Sequence, residues 1–199
     1  MNKTKSKDLN KEHILTEEEA LIAVKRDFEN YRHLPEHLKT LKVSYEAVNS
    51  CGDMIYYVPE KIRTPHLYRT AVRRDGSMLE FAPEELKTEL LCLTAVRGAG
   101  DALLYVPEKL KTRKLCWAAI KQGGWALRHT PDRFRTPKMC LMAVESCGHA
   151  LEWVPKKHKT KTLCCVAVRR DPRAYEFVPP TTKATIERMT GIKAPSKKA

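Results

Sequence analysis

The sequence predicts an all-α fold, an α-solenoid of about six to seven repeats of 24 residues, each a helix, a turn and a short helix. Three residue types recur with this period: a proline, a threonine five residues after it and an alanine twelve residues after it. The prolines are Pro35, Pro59, Pro83, Pro107, Pro131, Pro155 and Pro179. Such a period is typical of arrays in which each unit packs against its neighbours, because one unit cannot bury its apolar side alone.

Each threonine marks the start of the longer helix. A threonine hydroxyl can accept a hydrogen bond from a free backbone N–H of the first helical turn, so Thr112 is predicted to be an N-cap. Thr64 and Thr136 are followed by proline, the favoured first residue of a helix. Thr16 is followed three residues later by Glu19, which predicts a capping box in an N-terminal capping unit.

The helix after Thr112 carries an apolar stripe that is predicted to face the core. Leu115, Cys116, Ala119 and Ile120 have the spacing of one helical face. The alanine of each unit allows the backbones of neighbouring helices to approach closely. The same stripe recurs in the other repeats and indicates a continuous stacked core.

A glycine follows most of these helices, and we expect it to end them. Gly124 is predicted to take the left-handed conformation after the helix C-cap. Asp53, Ser77 and Asp101, each directly after a glycine, are expected to cap the second, shorter helix. The proline that follows predicts a tight turn or a single 3₁₀ turn.

The repeats predict three regions along the chain. Residues 1–13 form a flexible basic N-terminal tail, and residues 14–180 form the solenoid with a capping unit at each end. Residues 181–199 form a closing helix, at Thr185–Thr190, and a disordered basic tail.

Charge and composition narrow the classes of partner and compartment. The formal net charge is +13, and such a surface attracts nucleic acid, acidic proteins or anionic membranes, although it also serves solubility alone. No apolar run is long enough to span a bilayer, and the polar, Lys-rich N-terminus is unlike a secretory signal. We therefore expect a cytoplasmic protein, and a secreted effector without a signal peptide stays open as the alternative.

The seven cysteines indicate core packing and no metal site or cofactor. None lies in a CxxC pair, and Cys92, Cys116, Cys140 and Cys164 occupy the same position of successive repeats. Neighbouring repeats in a helical stack lie about 8–10 Å apart, too far for a disulfide. We expect these residues to be buried thiols in a reducing compartment.

The stretch ALLYVPEKLKTRKLCWAAIKQGGWALRHTP, from Ala102 to Pro131, resembles a family of short bacterial helical repeats of unknown function. The shared pattern is VPEELKTxxLCLxAVxxxGxAL, and the resemblance extends over Leu38–Val178. It implies an α-helical repeat fold and a bacterial or bacteria-related source, and it implies no activity. The final unit departs from the pattern, with Pro172 in place of the glycine.

Two series of cations and one series of rings are candidate binding residues. The first series, the turn cations, directly precedes the threonines, where the cations either hold the preceding turn together or contact a partner. The turn cations are Lys39, Arg63, Lys87, Lys111, Arg135, Lys159 and Lys183. The second series, the helix-end cations, is favoured by the helix dipole and is our main candidate for partner binding. The helix-end cations are Lys25, Arg26, Arg73, Arg74, Arg97, Lys121, Arg169 and Arg170.

The third series, the ring positions, lies two residues before each proline. These rings either pack on the turn and the next repeat, which we favour, or stack on single-stranded bases. The ring positions are His33, Tyr57, Phe81, Tyr105, His129, Trp153 and Phe177.

The sequence holds no catalytic motif. No HExxH, Walker loop or repeated Ser, His and Asp arrangement is present. A non-enzymatic scaffold that presents a solenoid surface to another protein is therefore our first hypothesis. A nucleic-acid-binding protein that uses the basic series is the alternative, and the sequence leaves the oligomeric state open.

Overall fold

A computed structural model describes residues 16–192, so the predicted tails at 1–13 and 194–199 lie outside the described residues. Within 16–192 the chain is helical and has no strand, which confirms the predicted all-α repeat solenoid. The α-helices are α1 (Glu17–Arg26), α2 (Leu41–Ser50), α3 (Pro65–Arg74), α4 (Glu89–Gly98), α5 (Arg113–Gln122), α6 (Pro137–Ser146), α7 (Lys161–Arg170) and α8 (Lys183–Thr190). Helix α8 begins two residues before the closing helix expected at Thr185–Thr190.

Short 3₁₀ helices connect the α-helices, two after each of α1 to α7. The six-residue ones are Phe28–His33, Gly52–Tyr57, Gly76–Phe81, Gly100–Tyr105, Gly124–His129, Gly148–Trp153 and Pro172–Phe177. The three-residue ones are Glu36–Leu38, Glu60–Ile62, Glu84–Leu86, Glu108–Leu110, Asp132–Phe134, Lys156–His158 and Pro180–Thr182. The second helix of each repeat is thus a 3₁₀ helix, and the turn after each proline is the single 3₁₀ turn that the sequence predicts.

The chain divides into two compact units. The first unit extends to Met78 and contains α1–α3, and the second unit begins at Leu79 and contains α4–α8. Within each unit, consecutive α-helices pack against one another and against the six-residue 3₁₀ helix of the preceding repeat.

The threonine caps are confirmed. The hydroxyl of Thr112 accepts from the backbone N–H of Leu115 at 3.3 Å, and the other repeat threonines cap α2–α7 in the same way. Thr16 and Glu19 form both hydrogen bonds of the predicted capping box at the start of α1. These caps place the start of each helix at the same position of the repeat.

The predicted apolar stripe forms the core of the second unit. Leu115, Cys116, Ala119 and Ile120 are each at most 1% exposed. The equivalent residues of α6 and α7 are also buried, so the stripe continues from one repeat to the next. Burial of an apolar side chain of this size stabilises the fold by roughly 1.5–3 kcal/mol.

The prediction that Gly124 ends a helix in the left-handed conformation is wrong. Helix α5 ends at Gln122, its C-cap Gly123 is extended with φ −161°, and Gly124 opens the following 3₁₀ helix. Among residues 16–192, Gly191 is the only one with a positive φ. Glycine occupies position 124 because the backbone of the next repeat comes so close that a Cβ would lie 2.2 Å from the carbonyl oxygen of Ala143.

The residues predicted to cap the second helix are also placed differently. The N-cap is the extended residue before the glycine position, and where this residue is Asp its side chain accepts from the N–H two positions ahead. Asp75 accepts from the N–H of Ser77 at 2.8 Å, and Asp171 accepts from that of Arg173 at 3.0 Å. Asp53 and Asp101, like Ser77, lie inside their 3₁₀ helices.

Candidate protein-binding surfaces

Arg135 shows what the turn cations do in the second unit. Its guanidinium donates to the carbonyl oxygen of Thr130 at 2.8 Å and to that of Arg128 at 3.3 Å, both in its own repeat. It also donates to the carbonyl oxygen of Trp153 in the next repeat at 2.8 Å and lies 2.9 Å from Asp132. The side chain is 17% exposed and joins two repeats through their backbones.

The other turn cations are held in similar ways. Lys159 donates to the carbonyl oxygen of Phe177 in the next repeat at 3.1 Å, and in the first unit Arg63 donates to that of Val58 at 2.9 Å. Lys39, Lys87 and Lys111 are 9–13% exposed, and each forms an ion pair with the glutamate three residues before it. Lys183, the last of the series, lies over the ring of Tyr175 at 5.0 Å. These contacts favour the structural alternative for this series.

The helix-end cations, in contrast, lie on the surface. Arg73 and Arg74 in the first unit are exposed, as are Arg97, Lys121, Arg169 and Arg170 in the second. No carboxylate of residues 16–192 forms an ion pair with any of these six. Two of them donate to uncharged acceptors. Arg74 donates to the side-chain oxygen of Asn49 at 2.8 Å, and Arg169 donates to the carbonyl oxygen of Met189 at 3.2 Å.

Two repeats interrupt the helix-end cations with neutral or acidic residues. Asn49 and Ser50 end α2, and Glu145 and Ser146 end α6. Asn49 accepts the hydrogen bond from Arg74, and the hydroxyl of Ser146 accepts from the backbone N–H of Gly124 at 3.3 Å. The interruptions therefore include contacts between neighbouring repeats, while Glu145 stays exposed.

The ring positions are half-buried or exposed. Tyr57 is 38% exposed and lies beneath the guanidinium of Arg32 at 4.9 Å. The pKa of His129 is lowered, first by burial and then by the neighbouring charge of Arg128. The pKa of Tyr105 is raised, first because its hydroxyl hydrogen-bonds to Glu80. These rings pack against the repeats and keep an edge in solvent.

Four rings of the second unit form a cluster that the ring positions alone do not predict. Trp125 lies with its ring centroid 5.3 Å from Trp153 and 5.3 Å from His149. His149 in turn meets the edge of Phe177 at 4.8 Å. Trp125 and His149 each directly follow a glycine. Each contacts the ring position that lies 28 residues later, which is one repeat plus four residues. This offset is the sequence signal that identifies the cluster.

The other features of residues 16–192 are the possible metal ligands, the cysteines and one open groove. Residues 16–192 hold no group of three or more His, Cys, Asp or Glu side chains that could bind a metal ion. Burial raises the pKa of the Cys92, Cys140 and Cys164 thiols to about 11, which disfavours the reactive thiolate. An open groove of about 880 Å³ lies in the first unit, where Tyr45 and His66 stack with their ring centroids 5.1 Å apart. Over the same described range, no helix is both long and apolar enough to cross a bilayer.

The fold and these surfaces define a helical-repeat protein. The family model described as Domain of unknown function (DUF4116) matches three overlapping segments, residues 42–87, 65–111 and 88–135. Each match covers close to two repeats and starts 23 residues after the previous one, which indicates a repeat-like domain across 42–135. No curated protein and no solved structure matches the chain. The bacterial source and the exact repeat motif implied by the resemblance stay predictions.

Proposed function

We propose that this chain is a non-catalytic scaffold that binds an acidic segment of another protein through its helix-end cations. One observation carries the proposal: these cations are exposed and have no carboxylate partner within residues 16–192. The turn cations, one in each repeat, already bond to carbonyl oxygens and glutamates. Of the two series, the helix-end cations are therefore the one whose charge is available to a partner.

The pattern of charge favours a protein over a nucleic acid. In the second unit, the exposed Glu145 lies between the repeat that carries Lys121 and the repeat that carries Arg169 and Arg170. A nucleic acid presents a uniform row of phosphates, and a carboxylate in that row is repulsive. A protein partner can place a cation opposite Glu145 and acids opposite its neighbours, so a mixed pattern fits a protein.

The alternative is a nucleic-acid-binding protein, and the net charge of +13 is the observation that favours it. The two hypotheses differ in salt dependence. A protein that contacts six to ten phosphates loses roughly 10³–10⁵ in affinity between 50 and 200 mM salt. We expect a smaller loss for a protein partner with mixed charges. A cytoplasmic location remains part of the proposal.

The test compares two sets of charge reversals. The first variant changes Arg73, Arg74, Arg169 and Arg170 to Glu, and the control changes Arg113, Lys114, Lys138 and Lys161 to Glu. Both sets consist of exposed residues on α-helices and change the net charge equally, at opposite helix ends. Binding of a labelled polyglutamate peptide and of an oligothymidylate of matched charge is measured by fluorescence anisotropy, and helicity is checked by circular dichroism.

We expect the first variant to lose at least about tenfold in affinity for polyglutamate, equivalent to ~1.4 kcal/mol, and the control to lose much less. Equal losses in both variants would show that only net charge matters and would overturn the assignment of the helix-end cations. Tighter, steeply salt-dependent binding of the oligothymidylate would favour the nucleic-acid alternative.

A further inference from the structure

The face formed by the six-residue 3₁₀ helices of the second unit carries the cluster of Trp125, His149, Trp153 and Phe177. The rings come from three successive repeats and touch in sequence, with centroid distances of 4.8–5.9 Å. Trp125 is 43% exposed, although aromatic side chains of this size are usually more deeply buried. The cluster is thus an aromatic strip with one large ring largely in solvent.

The strip also carries free hydrogen-bond donors. The indole N–H groups of Trp125 and Trp153 have no acceptor within residues 16–192, and neither is buried. A tryptophan that packs through its ring and leaves its N–H in solvent is suited to donate to a ligand carbonyl. Leu104, in the 3₁₀ helix of the preceding repeat, is a further exposed apolar side chain of this face, at 48% exposure.

The charge of this face is opposite to that of the whole chain. Its exposed acids are Glu80, Asp101, Glu152 and Glu176, and its exposed cations are Arg128 and Arg173. Four acids against two cations give a local charge of −2, where the chain as a whole carries +13. Arg173 is further neutralised by Asp171, whose carboxylate oxygens lie 3.1 and 3.2 Å from its guanidinium. The face therefore attracts cations and repels phosphates.

We infer that this face binds a basic, proline-containing segment of a partner protein in the polyproline II conformation. Polyproline II segments dock on grooves and strips lined by aromatic rings, because their prolines pack on the rings and their solvated carbonyls accept from indole N–H groups. Basic residues of the segment pair with Glu176 and with Glu152, whose carboxylate lies 3.4 Å from Nε2 of His149. This surface is separate from the helix-end cations and takes a partner of the opposite charge.

The arrangement of the rings suits such a segment. A polyproline II helix has three residues per turn, so every third residue of a triplet repeat presents the same face to a surface. Trp125 and His149 occupy the same position of successive repeats, and their ring centroids lie 5.3 Å apart. Adjoining rings of this kind form a continuous aromatic surface on which proline rings can pack.

The test uses a labelled peptide of repeating Arg-Pro-Pro triplets and the full chain. Trp125→Ala removes the most exposed ring of the strip, and we expect it to weaken binding by at least about tenfold. Glu176→Lys reverses an exposed charge, leaves the four rings in place and is also expected to weaken binding. Trp117→Ala is the matched control, because this half-buried tryptophan lies on α5 beneath Lys138, outside the 3₁₀ face. Thermal unfolding of each variant shows that it is folded.

Three comparison probes decide the class of ligand. We expect Arg-Gly-Gly triplets to bind weakly, because they lack the preformed conformation, and Glu-Pro-Pro triplets to bind weakly, because they carry the wrong charge. Equal binding of Arg-Gly-Gly would overturn the polyproline II inference. Absence of Arg-Pro-Pro binding, equal loss in Trp117→Ala, or tighter Trp125-dependent binding of an oligothymidylate would each overturn it as well.

Discussion

Gly124 packs against the backbone of Ala143 so closely that a Cβ on the glycine would lie 2.2 Å from the alanine carbonyl oxygen. The same oxygen accepts the N–H of Cys147 at 2.8 Å, where α6 ends. The relationship recurs between Gly100 and Ala119 and between Gly148 and Ala167, with corresponding distances of 2.6 and 2.5 Å. Neighbouring repeats thus meet backbone to backbone, and both small residues of the repeat serve this one contact.

Gly124→Ala is expected to destabilise the protein by about 1–3 kcal/mol or more, because the added methyl group meets a backbone atom that is fixed by its own helix. Gly123→Ala is the matched control. A Cβ at Gly123 meets nothing within 4 Å, and its φ of −161° is open to any residue, so a change under about 0.5 kcal/mol is expected. Urea unfolding measures both, and similar losses at the two positions would contradict the close approach.

Leu115→Ala is expected to cost roughly 2–5 kcal/mol, since Leu115 is 1% exposed and its removal leaves a cavity in the stripe between repeats. Leu90→Ala provides the comparison at an exposed helical position, where the side chain is 75% exposed. We expect the latter change to stay within about 0.5 kcal/mol. A loss under ~1 kcal/mol for Leu115→Ala in chemical denaturation would show that this position is not part of the core.

Arg135→Met is expected to destabilise the second unit by about 1–3 kcal/mol, because the carbonyl oxygens of Thr130 and Trp153 lose a charged donor. Arg133→Met is the control. Arg133 is 57% exposed, lies over the ring of Phe134 and pairs with Glu108 at 3.4 Å, so its loss should cost about 0–1 kcal/mol. If the two variants unfold at the same denaturant concentration, Arg135 does not join the repeats as described.

Stability is expected to fall as the pH rises above 9. The Cys92, Cys140 and Cys164 thiols have a pKa of about 11 in the folded chain against an ordinary 9.0, because burial disfavours the thiolate. Between these values the unfolded chain binds fewer protons than the folded one, so the free energy of unfolding decreases with pH. The loss is on the order of 2 kcal/mol per thiol across this window.

The control for this pH dependence is Cys140→Ala, which removes one titrating thiol from the core. We expect it to be less stable at neutral pH and to lose less stability between pH 9 and 11. Denaturant unfolding in reducing buffer at several pH values gives both curves. Parallel curves for the variant and the parent chain would show that this thiol does not contribute.

Much of the fold could be predicted from local patterns. The threonine caps, the apolar stripe and the 3₁₀ turn after each proline depend on residues within one repeat, and the structure confirms all three. The conformation of Gly124 and the residue that caps the second helix could not be predicted in this way. A glycine after a helix usually serves the left-handed C-cap, and only contact with the next repeat shows that it provides room instead.

The same distinction, between features of one repeat and contacts with the next repeat, holds for the candidate surfaces. The helical repeat array and the positions at which cations and rings recur could be read from residue order alone, because a period is a property of that order. The packing of the repeats was needed to show which cations donate to carbonyl oxygens, as Arg135 does, and which remain exposed, as Arg170 does. It also brought Trp125 to Trp153 across a 28-residue offset. The physical reason is that the burial and the hydrogen bonding of a side chain depend on the neighbouring repeat. The distance and angle of that repeat result from packing and cannot be read from the residues of a single repeat.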